Sequence, residues 1–161
     1  MLKKLKPLSF IPLLVMLSMI FSFSAQTGND SGKLSYEISY KIIEIKNNIL
    51  NENKTEAEIA KGAEDIHFYV RKAGHMTEYF LLSLTIVFPL YVYNIRGKKL
   101  FWLTLVLSAC FAGLDEYHQS FVDGRGPSIK DVGIDSVGAL IGDSISWLVM
   151  KICENKRGKT V

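Results

Sequence analysis

Cysteine is nearly absent from this chain: there are two in 161 residues, Cys110 and Cys153. Cys110 falls near the middle of one apolar run and Cys153 at the far end of the next. A helical rise of about 1.5 Å per residue sets them at different depths, which excludes disulfide geometry. Both read as plain apolar packing residues. No cysteine–histidine spacing points to structural zinc. A serine-nucleophile motif and a glycine-rich phosphate loop are also missing, and no cofactor is expected. Once the apolar runs are set aside, little chain remains for a separate soluble domain.

What the chain does have is four apolar runs: Leu8–Phe23, Ala73–Tyr93, Leu100–Leu114 and Val132–Met150. A spanning helix needs about 20 mainly apolar residues. The second and fourth runs meet that length, the third does so if Phe111–Tyr117 form its outer turn, and the first is short. The expected fold is all-α: a four-helix transmembrane bundle with an extracytoplasmic amphipathic helical loop. Its parts are a first spanning helix or signal anchor at 1–25, an outer helical loop at 26–71, a three-span core at 72–152 and a basic cytoplasmic tail at 153–161.

The net charge of +3 matters less than its placement. Lys3, Lys4 and Lys6 precede the first run. Arg96, Lys98 and Lys99 join the second to the third, and Lys151, Lys156, Arg157 and Lys159 follow the fourth. Short Lys/Arg-rich loops stay in the cytoplasm, so both termini are expected inside a bacterial cell membrane, with 25–71 and 118–130 outside. Membrane anchoring explains these clusters, and no nucleic-acid partner is expected. Met1–Gln26 also has the form of a secretory signal peptide, with a basic start, a short apolar stretch and small residues at Ser22, Ser24 and Ala25.

Between the first two runs, Gly28–Gly32 reads as a turn. Leu34, Ile38, Ile42, Ile45 and Ile49 then recur at helical spacing. They predict an amphipathic helix over 33–50, its stripe lying on the outer leaflet or on the tops of the spanning helices. Thr55 with Glu58 forms a capping-box pattern that opens a second helix. Lys72, His75 and Tyr79 share a face where that helix enters the second span. Pro89 is expected to kink it nearer the cytoplasm. Asp115 and Gln119 lie one turn apart at the end of the third run. Ser128 with Asp131 reads as the cap of the fourth span. Asp131, Asp135, Gly138 and Gly142 form one stripe, its glycines allowing a neighbour to pack close.

Under that topology the polar intramembrane groups converge at one depth, the outer-leaflet interface, and the inner halves of the spans are nearly devoid of them. Asp115, Glu116 and His75 are the candidate catalytic groups. Lys72, Tyr79, Gln119, Arg125, Asp131 and Asp135 are the candidate binding groups. The spacing of His75, Asp115 and Glu116 matches no recognised ligand motif, and no metal is expected.

Three segments together resemble the VanZ-like family of small bacterial membrane proteins. They are Arg71-Lys72-Ala73-Gly74-His75-Met76-Thr77-Glu78-Tyr79; Asp115-Glu116-Tyr117-His118-Gln119-Ser120-Phe121 with Gly124-Arg125; and Asp131, Asp135, Gly138 and Gly142. Ser24, Gln26, Ser31 and Ser35 are similar to the family's serine-and-glutamine segment after its first span. The resemblance covers nearly the whole chain. It departs at Asp135, where the family often has Asn. It implies a link to reduced susceptibility to glycopeptide antibiotics, teicoplanin in particular, without a settled reaction.

Four roles remain open for the cluster. A histidine beside carboxylates can act as a general base near working pH. With Asp115 and Glu116 as an acid–base pair, and Arg125 holding a phosphate or carboxylate through two nitrogens, the site would act on an envelope lipid or lipid-linked precursor. The same groups could instead bind a lipid headgroup, a lipid-bearing glycopeptide or a protein. Titrating carboxylates could serve a small transporter or flippase, which at four spans would need to be a homo-oligomer. Or Arg125 and Lys72 simply neutralise Asp115, Glu116 and Asp131 and fix the helix ends.

Overall fold

The computed structural model describes residues 2–158; Met1 and 159–161, which include Lys159 of the basic tail, lie outside the described residues. A 3-10 lead-in, Leu2–Phe10 with Pro7 inside it, runs into α1 (Ile11–Ser24). Then come α2 (Gly28–Leu50), α3 (Glu56–Val92), α4 (Gly97–Gln119) and α5 (Ile129–Gly158), with no strand among the described residues. Four segments are long and apolar enough to cross a membrane: Leu5–Ser24, Glu56–Val92, Gly97–Gln119 and Ile129–Asn155. The expectation of an all-α chain with four spans therefore holds.

The α1–α2, α2–α3 and α4–α5 connections shape one end of the molecule, termed here the hairpin end. The 96–99 link and the two termini lie at the other, the basic end. The 37 residues of α3 make a rod of about 55 Å at 1.5 Å per residue, well beyond the roughly 30 Å of a bilayer core. It runs unbroken through Lys72–Gly74 and through Pro89 to Val92. About 20 residues suffice to cross, so its first part stands clear of the spanning bundle.

Along that first part lies α2, antiparallel to it, with Gly62 of α3 against the Ile43 side chain. The turn between them is fixed by Asn51 and Asn53 in the left-handed region (φ 50° and 52°). The Thr55–Glu58 capping box then forms in full. Asparagine tolerates the left-handed region better than most residues, and the box satisfies two backbone donors at the start of α3.

The segment Gly28–Gly32 is not a turn. Thr27 accepts a hydrogen bond from the Asp30 backbone N–H at 3.2 Å, and helix begins at Gly28. A threonine N-cap with an acid in the first turn outweighs the low helix propensity of two glycines. Nor does α2 lie over the tops of the spans. It presents Ser35 and Ser39 inward, both buried. Leu34, Ile38, Ile42, Ile45 and Ile49 are all exposed, Ile49 at 72%. Small residues let α2 approach α3 closely, and the broad apolar stripe is left facing outward.

The core gathers Met16 and Ile20 from α1, Tyr79, Leu82 and Ile86 from α3, Ala112 from α4 and Ala139 from α5. Its closest approach is between α5 and α3. A methyl group on Gly138 would collide with the Met76 carbonyl, and one on Gly142 with the Ser83 hydroxyl and the Phe80 carbonyl. These glycines do what the stripe suggested. The cysteines do not: both are free and exposed on the outside of the bundle, so neither contributes to the core.

Replacing Gly138 by Val should cost about 1–3 kcal/mol, the usual penalty of overpacking, and lower the thermal midpoint in detergent. Gly133→Ala, whose methyl meets nothing within 4 Å, should leave the midpoint nearly unchanged. Equal midpoints for the two variants would contradict the close α3–α5 contact.

Candidate functional site

At the hairpin end, the loop between α4 and α5 is stitched to the junction of α1 and α2. The Gly28 N–H donates to the Asp123 carbonyl at 3.0 Å. Gly124 adopts φ +69°, and its carbonyl leaves no room for a side-chain carbon on Gly28. Arg125 donates through Nε to the Gln26 carbonyl and through Nη2 to the Phe23 carbonyl, both at 2.9 Å. These bonds satisfy carbonyls at the open end of α1. Burial and the neighbouring Arg71 draw the Arg125 pKa below its ordinary value, opposed by Asp115, Glu116 and Glu78.

Arg125 therefore makes no ion pair with Asp115 or Glu116 among the described residues. Its expected role as their neutralising partner is not realised, because two of its three nitrogens serve backbone carbonyls. A two-nitrogen grip on a phosphate or carboxylate would require breaking one of those bonds. Only Nη1, buried and without a hydrogen-bond partner, is left.

Glu116 is likewise engaged. Its Oε2 accepts the Ser128 backbone N–H at 2.7 Å, so a carboxylate from α4 satisfies an open donor at the head of α5, where negative charge is favoured. The expected Ser128–Asp131 cap gives way to this arrangement. Asp131 instead pairs with Lys72 at 2.5 Å, tying α5 to α3. Glu116 and Arg125 thus fasten helix ends, and the Lys72–Asp131 pair ties the head of α5 to the middle of α3.

A second set is buried without being fully satisfied. The Gln119 amide donates to Asp115 Oδ2 at 2.8 Å, across the single turn that the spacing implied. His75 Nδ1 stands 3.9 Å from Glu78 Oε2. Tyr79 is fully buried and its hydroxyl has no partner. Asp135 is fully buried with neither carboxylate oxygen partnered. Three helices thus bring Lys72, His75, Glu78, Tyr79, Asp115, Glu116, Gln119, Asp131 and Asp135 to one end of the bundle.

Two open cavities flank this group. One, of about 600 Å³, is walled by Leu14, Leu17, Ile20, Phe21, Leu82, Phe111 and Leu114, and ends on Tyr79, Asp115 and His118. The other, of about 250 Å³, lies between α2 and α3 and is bordered by His75, Glu78, Arg71 and Arg125. His118 stacks on Phe21 at 4.5 Å, and its Nδ1 lies 3.3 Å from the Ser24 hydroxyl. Only contact between sequence-distant helices reveals this role. Among the described residues no three His, Cys, Asp or Glu side chains are arranged to hold a metal ion.

One expectation is overturned. Polar groups do not stop at the hairpin end: Ser83, Thr104, Ser108 and Asp143 are all buried farther along the spans. Asp143 was passed over because the stripe was followed through Gly138 and Gly142. The four-residue series 131, 135, 139 and 143 would have found it.

The bundle and its four long apolar helices define a multi-helix membrane protein. Within that class the chain belongs to the VanZ/LLP1 family, whose profile matches residues 9–150. Neither the curated proteins nor the solved structures contain a match.

Glu116→Ala removes the acceptor at the head of α5 and should cost about 1–2 kcal/mol, read as a lower thermal midpoint. Glu116→Gln keeps an oxygen there and should lose less. For the Lys72–Asp131 pair, a double-mutant cycle with alanine should give a double loss smaller than the sum of the singles. Strict additivity would show that the two do not interact in solution.

Proposed function

We propose that the protein recognises an envelope amphiphile, with the hairpin end facing outside the cell and both termini in the cytoplasm. The orientation rests on Lys and Arg gathering at the basic end. The chemical class rests on one observation: the open 600 Å³ cavity is lined mainly by apolar side chains, with Asp115, Tyr79, His118, Ser18 and Ser22 as its polar members. That volume suits a ligand of ordinary size, and its lining suits an acyl chain below a polar head. An envelope lipid, a lipid-linked precursor and a lipid-bearing glycopeptide such as teicoplanin share this chemistry. Retention of the first span follows, because α1 forms one wall.

In this reading Asp115, held by Gln119, contacts the polar head, and Tyr79 and His75 line its surroundings. Lys72, Asp131, Glu116 and Arg125 keep the helix ends in register. A purely architectural reading is favoured by those four residues but not by Asp115, Tyr79 and Asp135, whose polar atoms are not all satisfied by the fold.

The test is teicoplanin against vancomycin susceptibility in a strain lacking the gene. It would carry wild type, Asp115→Asn or Leu17→Trp, with membrane levels checked. Wild type should protect selectively against the lipid-bearing drug. Filling the cavity with Trp and neutralising Asp115 should each remove most of that protection at unchanged protein level. Protection that survives both changes would refute the cavity as the binding site.

A further inference from the structure

The buried polar residues farther down the spans have no place in the site just described. The span Gly97–Gln119 has Ser108 at its midpoint, and Ile129–Asn155 has Gly142 at its midpoint, next to Asp143. The last 20 or so residues of α3, enough to cross, centre on Ser83. The Ser83 hydroxyl lies directly against Gly142, which puts α3 and α5 in register at that layer. Counting from the Glu116–Ser128 contact, Thr104 lies roughly 18 Å down α4 and Asp143 roughly 22 Å along α5, at 1.5 Å per residue. The reach of the Glu116 side chain absorbs much of the difference. Three helices therefore set polar side chains in one layer near the middle of the bundle.

Asp143 is 1% exposed, and Ser83, Thr104 and Ser108 are fully buried. Asp143 Oδ2, Thr104 Oγ1 and Ser108 Oγ have no hydrogen-bond partner, while Ser83 donates to the Phe80 carbonyl at 2.8 Å. No lysine, arginine or histidine shares the layer. On α5 the next titratable groups are Asp135, eight residues before, and Lys151, eight residues after. On α3 they are Glu78 and Tyr79 toward the hairpin end and Tyr91 toward the basic end, and on α4 Cys110, exposed on the outside of the bundle, then Asp115 and Glu116 toward the hairpin end. Lys98 and Lys99 start α4 at the basic end.

An isolated carboxylate in this setting cannot remain ionised without a counter-charge, since the cost of burying it runs to several kcal/mol. Two hydroxyls with unfilled hydrogen-bonding capacity in the same layer supply the neutral oxygens that a small cation or a proton-carrying water requires. We propose that Asp143, with Thr104 and Ser108, forms a second site, in the middle of the membrane, that binds and exchanges one monovalent cation, a proton or Na⁺. This site is independent of the amphiphile reading and stands or falls separately.

The experiment uses the full chain in phosphatidylcholine–phosphatidylglycerol vesicles and an apolar carbodiimide, which modifies protonated carboxyls within membranes. Fragment mass spectrometry locates the adduct. Asp143 should be labelled at acid pH, with a yield that falls several-fold toward alkaline pH. If Na⁺ in place of choline lowers the yield at fixed pH, the cation is Na⁺; if pH alone matters, it is the proton. Asp143→Asn should remove this adduct and leave any on Asp135. Thr104→Val and Ser108→Ala should move the pH at which labelling falls. A yield indifferent to both pH and Na⁺ would overturn the proposal and leave Asp143 a permanently neutral packing group; no adduct at any pH would overturn it by showing a carboxyl closed to exchange. The wild-type measurement decides this even if a variant fails to fold.

Discussion

The close approach of α5 to α3 is the constraint on which the rest depends. Gly138 sits on the Met76 backbone and Gly142 against Ser83 and Phe80. Without a Cβ at those two positions the helix axes draw near, and the residues flanking the glycines are carried into the interior. Asp135, Ala139 and Asp143 become fully buried for this reason. In a bilayer, where there is little hydrophobic force between helices, such small-residue contacts and interhelical polar contacts hold the bundle together. The glycine stripe and the buried acids are two faces of one packing decision.

The charges then sort by the job they do. Lys72 with Asp131, Glu116 with the Ser128 N–H, and Arg125 with the Phe23 and Gln26 carbonyls each join two segments distant in sequence. The Glu116 and Arg125 bonds satisfy backbone groups that would otherwise lie open at helix ends. Asp115, Tyr79 and Asp135 lie behind this ring, and their polar atoms are only partly answered by the fold. A rigid frame around incompletely satisfied groups is the arrangement expected of a binding site, since the frame fixes the geometry and the remaining capacity is left for a ligand. Under the amphiphile proposal, the cavity against α1 is where the acyl chain would lie.

Much of this was legible in the residues. Four runs of adequate length, the Thr55–Glu58 box, the Asp115–Gln119 turn and the glycine stripe all follow from local chemistry and helical period. The start of α2 at Gly28 was not, because a threonine cap three residues before its partner is easily masked by two glycines. The direction of the α2 stripe was left open between the outer leaflet and the tops of the spans. Periodicity shows that a helix has an apolar face but not which way that face points once Ser35 and Ser39 can pack more closely against α3.

By itself the sequence determined the helices, their capacity to span a membrane and the family. These rest on run length, spacing and capping, which act over a few residues. Only the tertiary structure decided the partners: that Arg125 binds carbonyls rather than carboxylates, that Glu116 caps a helix not its own, that His118 stacks on Phe21 of α1, and that Asp143 is buried within the bundle. Each of those choices depends on which groups compete for the same donor or acceptor across helices far apart in the chain, and that competition is settled only when the helices are packed.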